Sequence, residues 1–194
     1  MTCICDIISP MKTRFLGQKK YDGTQLAPHW IYKNFKIQGD ALVSFKGECE
    51  VKLTEMVDIE DVLNNEPIYS KLMLHFISEQ FNVGLVEGVF RQRLLICIIK
   101  EALEKRGILT QRRGDDLFVD DKKLTVSIAT KSLTSVLIHT GINIDAAGAP
   151  VAAAGLSDLG VNDIEALAQE IMTCYSNEID DIILAATKVN GVWK

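Results

Sequence analysis

The chain has 194 residues, of which 47% are hydrophobic and 24% charged, and its formal net charge is −5. These values are typical of a globular protein that buries a core without disulfides or metals. The acidic balance argues against binding nucleic acid over a broad basic surface, although a local basic groove stays open. No basic region precedes the first apolar residues and no apolar run could span a membrane, so we expect a cytoplasmic protein without membrane contacts.

Five cysteines stand at positions 3, 5, 49, 97 and 174. A zinc site usually shows two close pairs of ligands, and here only Cys3 and Cys5 are close together. Cys97 lies within an apolar run and is interpreted as a small buried side chain. We therefore expect reduced, mostly structural cysteines and no disulfide framework.

The first third of the chain shows short elements separated by turn signals. Residues 1–20 predict an extended lead-in, and Thr24 is a candidate cap for a helix that ends near Phe35. The apolar runs 41–45 and 49–53 flank a Lys-Gly-Glu segment and predict a β-hairpin.

The acidic segment 57–66 predicts a short helix or a loop. Its carboxylates could suggest a cation site, but acidic runs are usually solvated surfaces, and we predict no metal at Glu55, Asp58, Glu60 and Asp61. A strand over 71–78 follows, in which His75 shares a face with Met73 and Ile77. We interpret His75 as a core histidine rather than a functional one.

The strongest helical pattern covers 85–106. Its apolar side chains recur with a 3.6-residue period, and Gly107 is placed to end the helix. Near the end of the chain, Asn162 and Glu165 form a capping box that begins the first of two helices predicted between about 162 and 189. Strands between these helical regions predict a single α+β domain over 1–194, with a mixed or antiparallel sheet flanked by helices.

The most informative stretch runs from 111 to 144, where two alternating segments follow one another. In 123–129 the apolar side chains occupy one face, and the other face carries Lys123, Thr125 and Ser127. In 134–144 the same alternation places His139 and Asn143 opposite the apolar residues. We predict two antiparallel strands whose apolar faces point to the core and whose polar faces point away from it.

Motifs of common enzymes are missing from the sequence. It contains no Gly-x-Ser-x-Gly, no Gly-rich phosphate loop and no His-Glu-x-x-His. The remaining candidates are Asp115, Asp116, Lys123 and His139. A lysine on a polar strand face could bind an anionic oxygen, and paired carboxylates could hold Mg²⁺ together with a substrate phosphate. A charged surface hairpin accounts for the same spacing.

The segments DDLFV at 115–119, KL at 123–124 and GINI at 141–144 resemble the central part of biotin–protein ligases. Those enzymes carry an Asn-Asp-Leu strand, a lysine seven residues after that aspartate, and a Gly-Ile-Asn strand end. Asp116 and Lys123 show the same spacing.

Octanoyl and lipoyl transferases look similar over the same part of the chain. They carry an Arg-x-Gly before the first strand, as at 112–114, and a histidine followed closely by an asparagine, which His139 and Asn143 fit loosely. The resemblance covers about 91–160. It implies the biotin/lipoate-ligase fold, which is related to the core of class II aminoacyl-tRNA synthetases.

The resemblance also implies roles for individual residues. Lys123 would contact the acyl carbonyl or an acyl-adenylate, and Asp116 would lie near nucleotide and metal, so that ATP and Mg²⁺ are possible cofactors. These two are the catalytic candidates. The candidate ligand-binding residues are Arg93, Arg113, Asp115, His139 and Asn143.

The sequence departs from both enzyme families. The Gly-Arg-rich adenylate loop of the ligases is missing, and the segment 91–93 does not replace it. Asp115 stands where the ligases carry asparagine. Where the transferases carry a nucleophilic cysteine this chain has Val151, which cannot attack a thioester. As a whole, the chain is most similar to a small, mainly archaeal family known only as a domain of unknown function.

Three hypotheses follow. In the first, the protein is a ligase or acyltransferase that binds a small carboxylic acid or a nucleotide and acts on an acceptor protein. In the second, it is a non-catalytic module that kept the ligase fold and binds a small molecule or a protein. In the third, the polar strand faces, including Thr125, form the surface of a homodimer.

Overall fold

The computed structural model of the chain describes residues 10–65 and 67–192. Four α-helices are present in these ranges: α1 (Trp30–Phe35), α2 (Ile59–Asn64), α3 (Leu85–Glu104) and α4 (Ile164–Thr187). The first four strands are β1 (Lys12–Gln18), β2 (Ala41–Val51), β3 (Ile68–Phe81) and β4 (Gln111–Arg113). The others are β5 (Asp116–Val119), β6 (Lys122–Lys123), β7 (Thr125–Lys131) and β8 (Ser135–Asp145).

The main sheet has five strands in the order β1-β2-β3-β8-β7, and a small sheet has the order β4-β5-β6. β1 is parallel to β2, whereas the other neighbouring strands of the main sheet are antiparallel. The larger hydrophobic core lies between one face of this sheet and the helices α3 and α4. The predicted α+β fold with a mixed sheet is therefore confirmed.

The opposite face of the sheet carries a second hydrophobic core. Tyr21, Ile31 and Ile37, which lie outside the sheet, pack there against side chains of β2 and β3. His75 lies on this face and is completely buried, so the interpretation as a core histidine is confirmed. No helix in the described ranges is long and apolar enough to cross a membrane.

The hairpin predicted from 41–53 is wrong, because β2 is one continuous strand that pairs with β3 from Ala41 to Val51. Gly47 is not a turn residue but lies beside an irregularity in the register. A Cβ atom there would lie 1.7 Å from the carbonyl oxygen of Lys19, so the backbone of the preceding segment approaches too closely for any side chain. In the sequence alone, a glycine needed for close packing against another segment cannot be told apart from a glycine needed for a turn.

Helix α3 and its end at Gly107 follow the prediction. Gly107 has a φ of +76°, and the amide of Ile108 donates to the carbonyl of Leu103 at 3.0 Å. The segment 57–66 contains a short helix, as predicted, and the side chain of Asp58 caps it by accepting from the amide of Glu60.

Two other helix predictions are wrong. The helix expected from Thr24 begins only at Trp30, because the amide and the hydroxyl of Thr24 both donate to Asp22, which forms a local turn instead. The two helices expected at 162–189 are the single helix α4, capped by Asp163 rather than Asn162. α4 continues through Ser176, whose hydroxyl donates to the carbonyl of Thr173.

The predicted orientation of the strand faces is wrong for β7. Leu124 lies between β6 and β7, so the alternation does not continue from Lys123 into Thr125. Thr125 is fully buried and pairs with Ile142 of the helix-covered face. Ser127 accepts a hydrogen bond from Gln92 of α3 at 3.0 Å. Ser127 is half-buried and also lines a cleft, whereas Thr125 is fully buried and cannot belong to the homodimer surface of the third hypothesis.

Helix α4 offers a direct test of the larger core. Leu167 is fully buried in it, whereas Leu184 on the same helix is 54% exposed. We expect Leu167→Ala to lower the free energy of unfolding by about 2–5 kcal/mol, because it removes packed atoms and leaves a cavity. The matched variant Leu184→Ala should change it by less than about 0.5 kcal/mol. Urea denaturation measures both, and equal effects would contradict the assigned burial of α4.

Candidate functional site

A cleft of about 520 Å³ lies on the face of the sheet opposite α3 and α4. Val126 and Ile128 of β7 and His139 of β8 belong to this face, because Val126 pairs with Gly141 and Ile128 pairs with His139. One side of the cleft is formed by residues between Val51 and Tyr69, including α2. The other side is formed by the start of β5, Lys123 and the small-residue segment 149–153.

An ion pair joins the two catalytic candidates at one end of the cleft. Lys123 Nζ lies 2.8 Å from Asp116 Oδ2, and both residues line the cleft. Burial raises the pKa of Asp116, and the neighbouring ammonium group of Lys123 opposes that shift. The second carboxylate oxygen, Oδ1, is buried and accepts no hydrogen bond from the described residues.

The backbone of Lys123 is held from both sides. Its amide donates to the carbonyl of Ala152 at 2.9 Å, and its carbonyl accepts from the amide of Ala154 at 3.0 Å. The turn before it is closed by Asp120 and Asp121, which both have positive φ, as a two-residue hairpin turn requires. This geometry places Lys123 opposite Phe118 and next to Asp116.

Asp115 lies beside the ion pair and is held by α3. Its Oδ2 accepts from Gln92 Nε2 at 2.8 Å, and its Oδ1 lies 3.6 Å from Arg93 Nη2. Arg93 thus contacts Asp115 without lining the cleft itself. Arg113 does not line the cleft either: its guanidinium pairs with Asp121 and lies over the ring of Phe118.

Five of the seven predicted site residues therefore line one cleft: Asp115, Asp116, Lys123, His139 and Asn143. Their functional roles stay predictions. Among them, Asn143 already makes hydrogen bonds to other residues of the protein through both ends of its side-chain amide. Its Oδ1 accepts from the hydroxyl of Ser70 at 3.0 Å, and its Nδ2 donates to the carbonyl of Lys123 at 3.3 Å. Asn143 therefore links Ser70 of β3 to the backbone of Lys123.

His139 takes part in a buried pair of imidazoles. His139 Nε2 lies 3.1 Å from His75 Nδ1, and His75 Nε2 lies 3.3 Å from the carbonyl oxygen of Gly47. Burial lowers the pKa of His75 to about 3 and lowers that of His139 well below its ordinary value. The ring of Tyr21 stacks on His139 with centroids 3.8 Å apart. Both imidazoles are consequently neutral at pH 7.

The cleft also contains residues that the sequence analysis did not select. Tyr21 is brought to the cleft by an isolated β-bridge with Cys49. Such a long-range contact cannot be recognised from the residues around Tyr21. Val126 and Ile128 also line the cleft, although their apolar character predicts a place in the core. Val151, at the position of the transferase cysteine, is 59% exposed on the cleft wall.

Other parts of the described structure offer weaker candidates for a functional site. The described cysteines, Cys49, Cys97 and Cys174, are free thiols and do not line the cleft. Within 10–65 and 67–192, no group of three or more histidine, cysteine or acidic side chains is placed to hold a metal ion. A smaller pocket of about 310 Å³ lies beside His29 and Phe81 and contains none of the predicted site residues.

The neutral histidine pair predicts a dependence of stability on pH. Unfolded histidines bind protons below about pH 6.5, whereas the buried pair resists protonation until far lower pH. The folded protein should therefore lose about 1.4 kcal/mol of stability per histidine between pH 7.5 and 5.5. Urea denaturation at the two pH values measures this loss. NMR titration in which the ring signals of His75 and His139 shift near pH 6.5 would contradict it.

Comparison with known proteins identifies close relatives. A family model described as a domain of unknown function, DUF366, matches residues 11–190. An uncharacterized protein of Methanocaldococcus jannaschii is 42% identical over 168 residues, which cover 84% of this chain and 76% of that relative. The structure of a protein of unknown function from Pyrococcus horikoshi is 38% identical, covers 94% of this chain and 100% of that one, and gives a TM-score of 0.87.

More distant structures share the fold. A protein from T. acidophilum solved with bound lipoic acid gives a TM-score of 0.61 at 15% identity, over 89% of this chain and 87% of that one. Biotin protein ligase from Aquifex aeolicus, solved with biotin and ATP, gives 0.58 at 16% identity, over 86% of this chain and 70% of that one. The predicted biotin/lipoate-ligase-like fold is confirmed. The family match and the close relatives together show that the chain belongs to the DUF366 family.

Proposed function

We propose that the protein binds a small carboxylic acid, or an acyl derivative of one, in the cleft. The acyl oxygen would contact Lys123, and the hydrocarbon part would lie over Val126 and Ile128. One observation carries this proposal: Lys123 is the only lysine or arginine among the described residues that line the cleft. A single cation beside an apolar surface suits a ligand with one anionic or polar oxygen group and an apolar body.

The ammonium group of Lys123 has hydrogen-bonding capacity for such a ligand. It carries three N–H donors, and Asp116 Oδ2 accepts at 2.8 Å. Two donors stay available for an acyl oxygen. The backbone of Lys123 is held by Ala152 and Ala154, and its ammonium group is held by Asp116, so both are in place without a ligand. Preorganisation of this kind reduces the entropic cost of binding.

The apolar part of the cleft matches a hydrocarbon chain. Side chains from five separate segments contribute to it: Leu26, Val51, Ile68, Val126, Ile128 and Val151. Burying a methylene group stabilises a complex by about 0.8 kcal/mol. The cleft volume of about 520 Å³ lies within the range of small-molecule sites, about 300–1,000 Å³. Proteins of the same fold that bind lipoic acid or biotin support the same class of ligand.

The negative charge of the cleft disfavours binding of a nucleoside triphosphate. Carboxylates outnumber the single ammonium group on its walls: Glu55, Asp58, Asp61, Asp115 and Asp116. These groups would repel the several negative charges of a polyphosphate more strongly than the single charge of a carboxylate, and the sequence offers no Gly-rich loop to donate backbone amides to phosphate. We therefore propose that the cleft binds the acid itself and does not adenylate it. Since Val151 replaces the transferase cysteine, the cleft also offers no thiol at that position for acyl transfer.

We propose a binding module rather than a ligase or acyltransferase. We also propose an acceptor protein as a partner, because exposed apolar side chains such as Val57, Tyr69 and Val151 border the cleft. We propose the cytoplasm as the compartment, since Cys49, Cys97 and Cys174 are free thiols.

The role of Lys123 can be tested against its neighbour. Lys122 precedes it in β6, is exposed and does not line the cleft, so Lys122→Ala makes the same change of charge outside the site. We expect Lys123→Ala to weaken the binding of octanoic acid about 10- to 100-fold, since a hydrogen bond to a charged group contributes about 1.5–3 kcal/mol. Lys122→Ala should change it less than about twofold. Isothermal titration calorimetry measures both.

Because Lys123→Ala leaves the carboxylate of Asp116 buried without its partner, a second variant is needed. Lys123→Met combined with Asp116→Asn removes both charges and keeps the volume, and it should bind octanoic acid as weakly as Lys123→Ala. Octanoic acid that binds all of these variants as it binds the unchanged protein would refute the role of Lys123.

The apolar wall predicts a dependence on chain length. Octanoic acid should bind more tightly than hexanoic acid, and hexanoic acid more tightly than butanoic acid, by up to about fourfold for each added methylene. The same calorimetric titration measures the series. Affinities that do not change with chain length would show that the hydrocarbon part does not enter the cleft.

A further inference from the structure

The hydrogen bonds of the buried imidazole pair fix which ring nitrogens carry protons. A carbonyl oxygen can only accept, so His75 Nε2 must donate to Gly47. In a neutral ring the other nitrogen is then an acceptor, and His75 Nδ1 accepts from His139 Nε2 at 3.1 Å. His139 is left with Nδ1 as an acceptor. The direction of both hydrogen bonds is thus fixed by the backbone carbonyl of Gly47, which can only accept.

The remaining nitrogen of His139 has no partner within the described part of the chain. No hydrogen bond joins His139 Nδ1 to another described residue, and Tyr21 covers the ring by stacking rather than by donating to it. His139 is 97% buried, since only 3% of it is exposed, and it lines the cleft. The small exposed part of His139 lies in the cleft, so a ligand there can supply a donor to this acceptor.

The strand register sets where this acceptor lies relative to Lys123. Asn143, which holds the carbonyl of Lys123, is four residues after His139 on the same face of β8. Four residues of an antiparallel strand span about 13 Å. Val126 pairs with Gly141 between these two positions, and Ile128 pairs with His139 itself. The backbone of Lys123 and the ring of His139 therefore lie at opposite ends of an apolar floor.

We infer that the cleft selects an elongated carboxylic acid whose far end carries a hydrogen-bond donor, such as a hydroxyl or an amide N–H, and that His139 Nδ1 accepts from this donor. This inference rests on the proposed function, since it assumes that Lys123 holds the acyl oxygen. It adds the chemistry of the opposite end of the ligand. A ligand with only an acceptor at that end meets another acceptor and is disfavoured.

Three acids of matched length test the inference on the unchanged protein. Octanoic acid has no polar far end, ω-hydroxyoctanoic acid has a donor there, and ω-methoxyoctanoic acid has an acceptor without a donor. We expect the hydroxy acid to bind about tenfold more tightly than either of the others. A hydroxyl group that finds no partner would instead weaken binding relative to octanoic acid, because it loses its bonds to water.

Two further measurements identify His139 as the partner. His139→Phe keeps a ring for Tyr21 to stack on and should abolish the preference for the hydroxy acid, while His29→Phe, a change outside the cleft, should preserve it. Nitrogen-15 NMR of the unchanged protein should show the His139 Nδ1 signal moving when the hydroxy acid binds and not when the methoxy acid binds. This readout does not depend on how well a variant folds.

The outcomes separate this inference from the proposed function. If the three acids bind equally and all lose affinity in Lys123→Ala, the donor selection is wrong and the proposed function stands. If none of the three acids binds, both are wrong. A preference for the hydroxy acid that survives in His139→Phe would also overturn the role of His139.

Discussion

The antiparallel pairing of β3 with β8 is the constraint on which the rest of the structure depends. Its side chains are buried on both faces, by α3 and α4 on one side and by residues such as Tyr21 on the other. Polar side chains on these strands must therefore find partners inside the protein. Ser70 bonds to Asn143, and His75 bonds to His139. The two pairs lie on the same face and connect the centre of the sheet to the cleft.

These internal bonds determine the geometry of the site. Asn143 is held by Ser70 and in turn holds the carbonyl of Lys123, so the backbone of Lys123 is positioned by the middle of the sheet, and its ammonium group is held by Asp116. The carbonyl of Gly47 accepts from His75, and this bond determines which nitrogens of His75 and His139 carry protons. A cation and an acceptor thus face one apolar floor. Both are positioned by the fold before any ligand arrives.

Much of the fold and part of the site could be predicted from the sequence. Local patterns located α3 and the end at Gly107, and the Asp116–Lys123 spacing led to a pair that is in contact. Prediction failed where distant segments decide the structure. Gly47 admits the backbone of Lys19 rather than a turn, and Tyr21 reaches the cleft across the sheet. The alternation broke at Leu124, which reversed the expected faces of β7.

A crystal structure of the protein with octanoic acid tests the central claim most directly, because it shows which group occupies which end of the cleft. The account predicts that a carboxyl oxygen lies within hydrogen-bond distance of Lys123 Nζ and that the chain runs over Val126 towards His139. An acid bound in the pocket beside His29 and Phe81, or one whose carboxyl group lies at His139 with its chain directed to Lys123, would contradict it.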